Sequence, residues 1–375
     1  MQLKMKKAMI KKLTIFLTSV LVAASSVSAQ VGNNATNSVK KDVNVGVMLP
    51  LHDIDGDGRR MTEYYQGILL AVKDLKKEGM NINIRAWNMP IDADPRTTLL
   101  QDGTTTCDVI FTPLYTKQVK VLGDFCRAYK IKMVIPFSIN GNEVDKNPQI
   151  YQVYQSPDEM YTTSIQRVAE DFTQYHPVFI DCNDTTSRKG PFTFGLRKVL
   201  EDKGVQYNIT NLRSSEEMFA KAFSLTQPNL VILNTGRAPE MRIAMEKLDA
   251  LVSANRDVNV TLYGYTEWLM YAKVYKDKFA KYNTYIPTNF YYNELSSKTQ
   301  RFAQDYRTAF HHDMMNALPH FAATGYDHAM YFIGGKTQWM QTPLKFVKTT
   351  NGGYRNKAFM LIHYKQDGGI DAIQY

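Results

Sequence analysis

From residue 43 onward the chain alternates short, uninterrupted apolar runs with amphipathic helices, and it does so twice. The run VNVGVML at 43–49 predicts a strand. Segment 63–78 predicts a helix, because Tyr65, Ile68, Leu69, Val72 and Leu75 share one face before Gly79 ends it. Strands follow at 82–87, 108–111 and 132–137, with a helix over 117–129. Runs such as VIF and MVIPF lack the polar alternation of a half-wet sheet, so both of their faces must be covered. Strands of that kind separated by helices form a parallel sheet with right-handed crossovers.

The grammar restarts after 151–154. It gives a helix at 158–173, a strand at 178–181, a helix at 192–203, strands at 206–209 and 230–233, a helix at 239–253 and a strand at 258–263. Two such arrays predict an α/β protein of two doubly wound lobes, and 375 residues suit two domains. The tail breaks the pattern. Two long helices at 296–310 and 320–334 precede a hairpin-like pair at 357–364 and 369–373, turned by Gln366-Asp367-Gly368, so the chain is expected to cross back between domains.

The first 29 residues carry five lysines (Lys4, Lys6, Lys7, Lys11, Lys12), then an apolar stretch at 13–22, then Val27-Ser28-Ala29. This is the build of a cleavable secretory signal peptide. Its apolar core is shorter than the roughly 20 residues of a membrane span. Residues 30–42 read as a linker. The formal net charge is +9, and without the leader lysines 40 basic face 36 acidic residues, a net +4. Nucleic acid is therefore not an expected partner, and neither is a membrane anchor. The expected location is the periplasm. Three cysteines (Cys107, Cys126, Cys182) leave at least one unpaired in an oxidising compartment. Cys107 and Cys126 flank one βα unit and are read either as a disulfide or as buried thiols.

Motifs of chemistry are weak. Asp53, Asp55, Asp57 and Gly58 match the first half of a calcium loop, but position twelve is Tyr64, and a turn entering a helix N-terminus is the preferred reading. Gly334-Gly335-Lys336-Thr337 lacks the earlier glycine and the preceding strand of a phosphate loop. His311, His312, His320 and His328 lack metal-ligand spacing and read as solvated or core histidines. No G-x-S-x-G elbow occurs. Catalysis, metal and cofactor are accordingly not expected.

Ligands of open α/β sheets bind beyond the carboxyl ends of the strands. Here those loops are 51–62, 112–116, 138–140, 182–189, 234–237 and 265–268, rich in hydroxyls, amides and free helix N-termini. Such groups either cap their helices or, taken as one rim, bind a small polar ligand.

The segments VGVMLPL, YYQGILLAVKDLKKEG, DVIFTPLYTKQV, KMVIPFS and NPQIYQV, followed by LVILNTGR, TLYGYTEW, ATGYDHAMYFIGG and GGYRNKAFMLIHY, resemble the type I periplasmic binding proteins of the leucine/isoleucine/valine-binding class. The likeness is nearest to a branch of Gram-negative envelope proteins that often carry LysM modules, which this chain lacks. The resemblance implies two Rossmann-like lobes joined by three crossings, with 43–153 plus 293–350 as lobe 1 and 154–292 plus 351–375 as lobe 2. It implies a ligand between lobes that close by hinge motion. Tyr115, Thr116 and the Ser138 to Asn140 turn match the loops that hold a ligand carboxylate in relatives, and Glu267 stands where an acid meets the ligand amine. With Asp184, Thr235 and Arg237 from the second-lobe loops, the candidate ligand-binding set is Tyr115, Thr116, Ser138, Asn140, Asp184, Thr235, Arg237 and Glu267. Ile139-Asn140 replaces the usual Thr, and Arg237 enters a region that is often Tyr or Gly, so an empty or repurposed cleft stays open beside an α-amino acid ligand. The expected function is solute binding for ABC-type uptake or sensing, with a small molecule and an ABC permease as partners. The rival is a regulatory interaction protein with cell-wall synthesis partners.

Overall fold

The computed structural model describes residues 42–137 and 141–375, and residues 42–375 form one compact unit. The expected leader and all of the expected linker but Asp42 lie outside the described residues, as do Ser138, Ile139 and Asn140. The first array runs β1 (Val43–Leu49), α1 (Gly56–Lys77), β2 (Ile82–Asn88), α2 (Pro95–Leu99), β3 (Val109–Phe111), α3 (Thr116–Tyr129), β4 (Lys132–Ile135) and β5 (Ile150–Gln152). The second runs α4 (Pro157–Asp171), β6 (His176–Asp181), α5 (Gly190–Asp202), β7 (Asn208–Asn211), α6 (Glu216–Ala220), β8 (Asn229–Leu233), α7 (Ala238–Ala254), β9 (Val260–Tyr263), α8 (Ala272–Lys281) and β10 (Tyr285–Thr288). The tail supplies α9 (Ser297–Phe310), α10 (Phe321–Phe332), β11 (Phe346–Lys348), β12 (Tyr354–Asn356), β13 (Met360–Tyr364) and β14 (Ile370–Gln374).

These strands form two seven-stranded sheets, β11-β12-β5-β4-β3-β1-β2 and β14-β13-β10-β9-β8-β6-β7. Each has a parallel body and one antiparallel edge contributed by the tail. The apolar runs behave as their composition demands: β3, β8 and β9 are buried along their whole length. The expected two-lobed, doubly wound α/β class is thus the observed one. The chain passes between sheets three times: after β5, after β10, and between Asn356 and Met360. The last passage falls a few residues beyond 351, because β12 pairs in parallel with β5 and belongs to the first sheet.

Helix α1 begins at Gly56, seven residues before the expected start. The Asp55 carboxylate accepts the Gly58 N–H at 2.7 Å, so the calcium-like turn is a helix cap. The returning helix α10 packs on α1 at backbone distance. A Cβ on Gly67 would lie 1.9 Å from the Ala322 carbonyl oxygen, and one on Gly325 would lie 2.0 Å from that of Tyr64. Only glycine permits that approach. Between the helices the Tyr64 hydroxyl and His328 Nδ1 are 2.8 Å apart, both groups fully buried. The residue before His328, Asp327, accepts the N–H groups of Met340 (2.7 Å), Gln341 (2.8 Å) and Thr342 (2.7 Å), while burial lifts its carboxyl to about 6. The Gln341 carbonyl accepts the Tyr291 N–H at 2.8 Å, which ties this network to the second crossing.

Candidate functional site

In both sheets the winding direction reverses beside the first strand, between β1 and β3 and between β6 and β8. Loops diverge at such points and leave a crevice above the strand ends. In the first lobe the crevice is bounded by the α1 N-terminus and by Tyr115, which precedes α3. The Tyr115 hydroxyl donates to Asp57 at 3.2 Å, and burial together with that carboxylate pushes it up to about 12. Thr116 is the first residue of α3. Ser138 and Asn140, expected to complete this rim, lie outside the described residues.

The second-lobe rim is more completely defined. Asp184 Oδ1 accepts the Thr186 N–H (2.9 Å) and hydroxyl (2.7 Å), and Oδ2 accepts the Thr235 hydroxyl at 2.8 Å. The Arg237 guanidinium lies 3.6 Å from the same carboxylate and donates to the Thr186 hydroxyl at 3.2 Å. Burial alone would raise the Asp184 pKa. The bonds from Thr186 and Thr235 and the Arg237 charge outweigh it and hold the carboxyl below the ordinary aspartate range. Asp184, Thr235 and Arg237 are therefore brought together, and the Asp184 carboxylate is engaged by its neighbours while the Arg237 guanidinium stays about half exposed. Together they brace two loops.

Glu267 sits in a short 3₁₀ turn, Thr266–Tyr271, after β9. Its carboxylate fills the space that Gly236 leaves open, where a Cβ would stand 1.9 Å from Oε1. Its partner is the ammonium of Lys189, the residue that precedes α5. Lys189 Nζ also lies over the Tyr265 ring, 4.4 Å from its centre, and 3.5 Å from the Tyr161 hydroxyl. The Tyr265 ring is held in place by its buried hydroxyl, which donates to the Leu233 carbonyl at 2.5 Å, and by an edge contact with Phe192.

Beside this group is a cavity of about 290 Å³ walled by Tyr154, Met160, Tyr161, Phe192, Tyr265, Phe290 and the polar groups of Lys189, Glu267 and Asn289. An adjoining recess of about 540 Å³ shares Tyr161, Lys189 and Glu267 and adds Asp158, Asp184, Arg188 and Arg237. Tyr154 and Gln155 come from the first crossing, Asn289 and Phe290 from the second, and Pro287 from the end of β10. Sequence reasoning missed Tyr154, Tyr161, Asn289 and Phe290. Lys189 lay within a candidate loop, but nothing local singled it out from Arg188.

The three cysteines are free and buried, and burial pushes their thiols up to about 11 (Cys107) and about 12 (Cys126, Cys182). Among the described residues no group of three His, Cys, Asp or Glu is placed to hold a metal, and no helix is long and apolar enough to cross a membrane.

No family model matches the sequence, and no curated protein does. Solved structures do match. A structure from Rhodospirillum rubrum described as a branched-chain amino acid ABC transporter is 13% identical, with a TM-score of 0.60 over 89% of this chain and all of that one. Full-length LpoA from Haemophilus influenzae is 13% identical, with a TM-score of 0.54 over 90% of this chain and 59% of its own. The chain thus spans little more than half of LpoA. At such identities the likeness establishes the fold, and that fold is the two-lobed one of the type I periplasmic binding proteins.

Proposed function

We propose that this chain is a periplasmic solute-binding protein that holds a small, partly polar molecule at the second-lobe rim, for ABC-type uptake or sensing. One observation carries the reading. The 290 Å³ cavity is lined at once by the strand-end loops of the second lobe and by residues of the first two crossings. A solute there touches the segments about which two lobes pivot, so its binding energy can bias their opening and closing. The cavity suits a small solute with an apolar body and a few directed polar contacts. Tyr115 and Thr116 on the opposite lobe would supply the closing contacts.

A library of amino acids, organic acids and neutral solutes, screened by thermal shift and confirmed by calorimetry, tests the reading. A ligand of the folded state at 100 times its Kd adds about 2.7 kcal/mol of apparent stability. No shift across the library, together with no solute carried through purification, sinks it. The second reading, an envelope interaction protein with cell-wall synthesis partners, is favoured by the TM-score of 0.54 to LpoA. Recovery of cell-wall synthesis enzymes, and not permease subunits, on the immobilised protein would replace the first reading with the second.

A further inference from the structure

The environment of Lys189 is that of a cation receptor already filled from within. A carboxylate and the faces or hydroxyls of tyrosines are the groups that recognise ammonium ions. Here Glu267 pairs with the Lys189 ammonium, the Tyr265 ring centre lies 4.4 Å from it, and the Tyr161 ring centre lies 5.8 Å away. The lysine side chain is 13% exposed and the glutamate 31%, so neither is an ordinary solvated surface charge. The lysine is also fixed at its root. Its N–H donates to the Ser187 hydroxyl oxygen at 3.1 Å, and its carbonyl accepts the Thr193 N–H at 2.9 Å in the first turn of α5. The carboxylate is fixed from the other side by the gap at Gly236. Receptor and tethered cation are thus positioned by separate parts of the lobe.

We propose that Lys189 is a specificity-determining residue: a built-in ammonium that occupies the Glu267–Tyr265–Tyr161 cage and closes the adjoining cavity to positively charged solutes. Any ligand amine entering there meets a like charge and a carboxylate already engaged. Resting on the solute-binding reading, this restricts the ligand to neutral or acidic molecules with an apolar body, held among Phe192, Phe290 and Met160. Free α-amino acids are then poor ligands, although Glu267 occupies the place where the resemblance puts an amine-binding acid.

Excision and replacement of the side chain test the cage directly. Lys189→Ala removes three methylenes and the amine, and n-propylammonium is the missing piece. The expected result is a saturable rise in the melting temperature of Lys189→Ala, about 2 °C or more above an equal concentration of potassium chloride, with no such rise for the parent protein. The double variant Lys189→Ala/Glu267→Gln should lose most of the effect. If Lys189→Ala does not fold in buffer, refolding in n-propylammonium is the readout, and recovery only with the amine supports the cage. Absence of any response beyond the salt control, in melting or in refolding, overturns it. On the parent protein, a des-amino acid such as 4-methylpentanoate should bind at least tenfold more tightly than leucine, and the reverse order also overturns the proposal. A parent protein that binds no solute while Lys189→Ala is rescued would remove the solute-binding reading and leave the cage standing.

Discussion

Asp249 gives the sharpest quantitative test of how the second lobe is held together. It lies on α7 and receives Lys278, Lys281 at 2.5 Å and the Tyr282 hydroxyl at 2.6 Å, all from α8 or its end. Its side chain is 23% exposed, so these bonds are only partly screened by water. Burial by itself would raise the carboxyl. The two ammonium groups and the phenol overcome that and hold it at about 2, against an ordinary 3.8. A depression of roughly two units corresponds to about 2.5 kcal/mol of folding stability at neutral pH. The depressed value fixes the sign: the contribution is complete above about pH 4 and is lost as pH falls toward about 2. Asp249→Asn keeps the shape and removes the charge. Urea unfolding at pH 7 should show a loss of about 2 kcal/mol, shrinking steadily below pH 4 to roughly a third of that by about pH 2.5. Trp268, stacked on Phe279 of α8 with ring centres 5.7 Å apart, offers a local fluorescence probe of the same region. A deficit below about 0.5 kcal/mol at pH 7, or one unchanged down to pH 3, would refute the reasoning.

Two further outcomes follow from the first lobe. Gly67→Ala must push α1 away from α10, because the added Cβ meets a backbone carbonyl that cannot swing aside; a loss of about 3 kcal/mol or more in chemical denaturation is expected, and a loss under 1 kcal/mol would contradict the packing. Burial holds the His328 imidazole down at about 3, against 6.5 ordinarily, so the unfolded chain binds a proton below pH 6.5 that the folded chain refuses until about pH 3. Folding stability should therefore fall across that window by up to about 4 kcal/mol. His328→Phe strands the Tyr64 hydroxyl and costs about 1–2 kcal/mol at pH 7, yet the gap to the parent protein should close on acidification. Parallel stability curves from pH 7 to pH 4 would show that His328 does not titrate in this way.

Where the sequence speaks through period and composition, the structure follows it closely. β1 spans the expected seven residues, α9 the expected two C-terminal helices' first member, and the final hairpin turns at Asp367-Gly368 as its residues require. Apart from the ten-residue helix α8, which the sequence reading also passed over, the elements that escaped detection are ones whose stability is borrowed. α2 and α6 have five residues each, too few for an amphipathic pattern to emerge. β10 reads YIPT, and its proline argues against a strand until β13 pairs alongside it. β11 is half-exposed at a sheet edge and exists because β12 lies next to it. The site divides in the same way. Strand-end loops could be read from the chain, which is why Asp184, Thr235, Arg237 and Glu267 were legible as a set. Tyr154, Tyr161, Asn289 and Phe290 reach the cavity from a helix and two crossings, and only the tertiary fold makes them neighbours. The pairing of Lys189 with Glu267, residues far apart in sequence, had no local signature.

The fit of α10 against α1 also sets a timetable. Tyr64 and His328 are 264 residues apart, and the whole second parallel array lies between them. A chain made from its N-terminus begins the first lobe early and lacks α10 until residue 332 has been synthesised, whereas β6 to β10 and their helices arrive as one continuous stretch. Closing so long a loop is entropically slow more than it is costly, since each doubling of length adds only about 0.6 kcal/mol. Both sheets therefore wait for strands of the tail, and through most of the chain's synthesis the glycine-bearing face of α1 stays uncovered for want of a helix that does not yet exist.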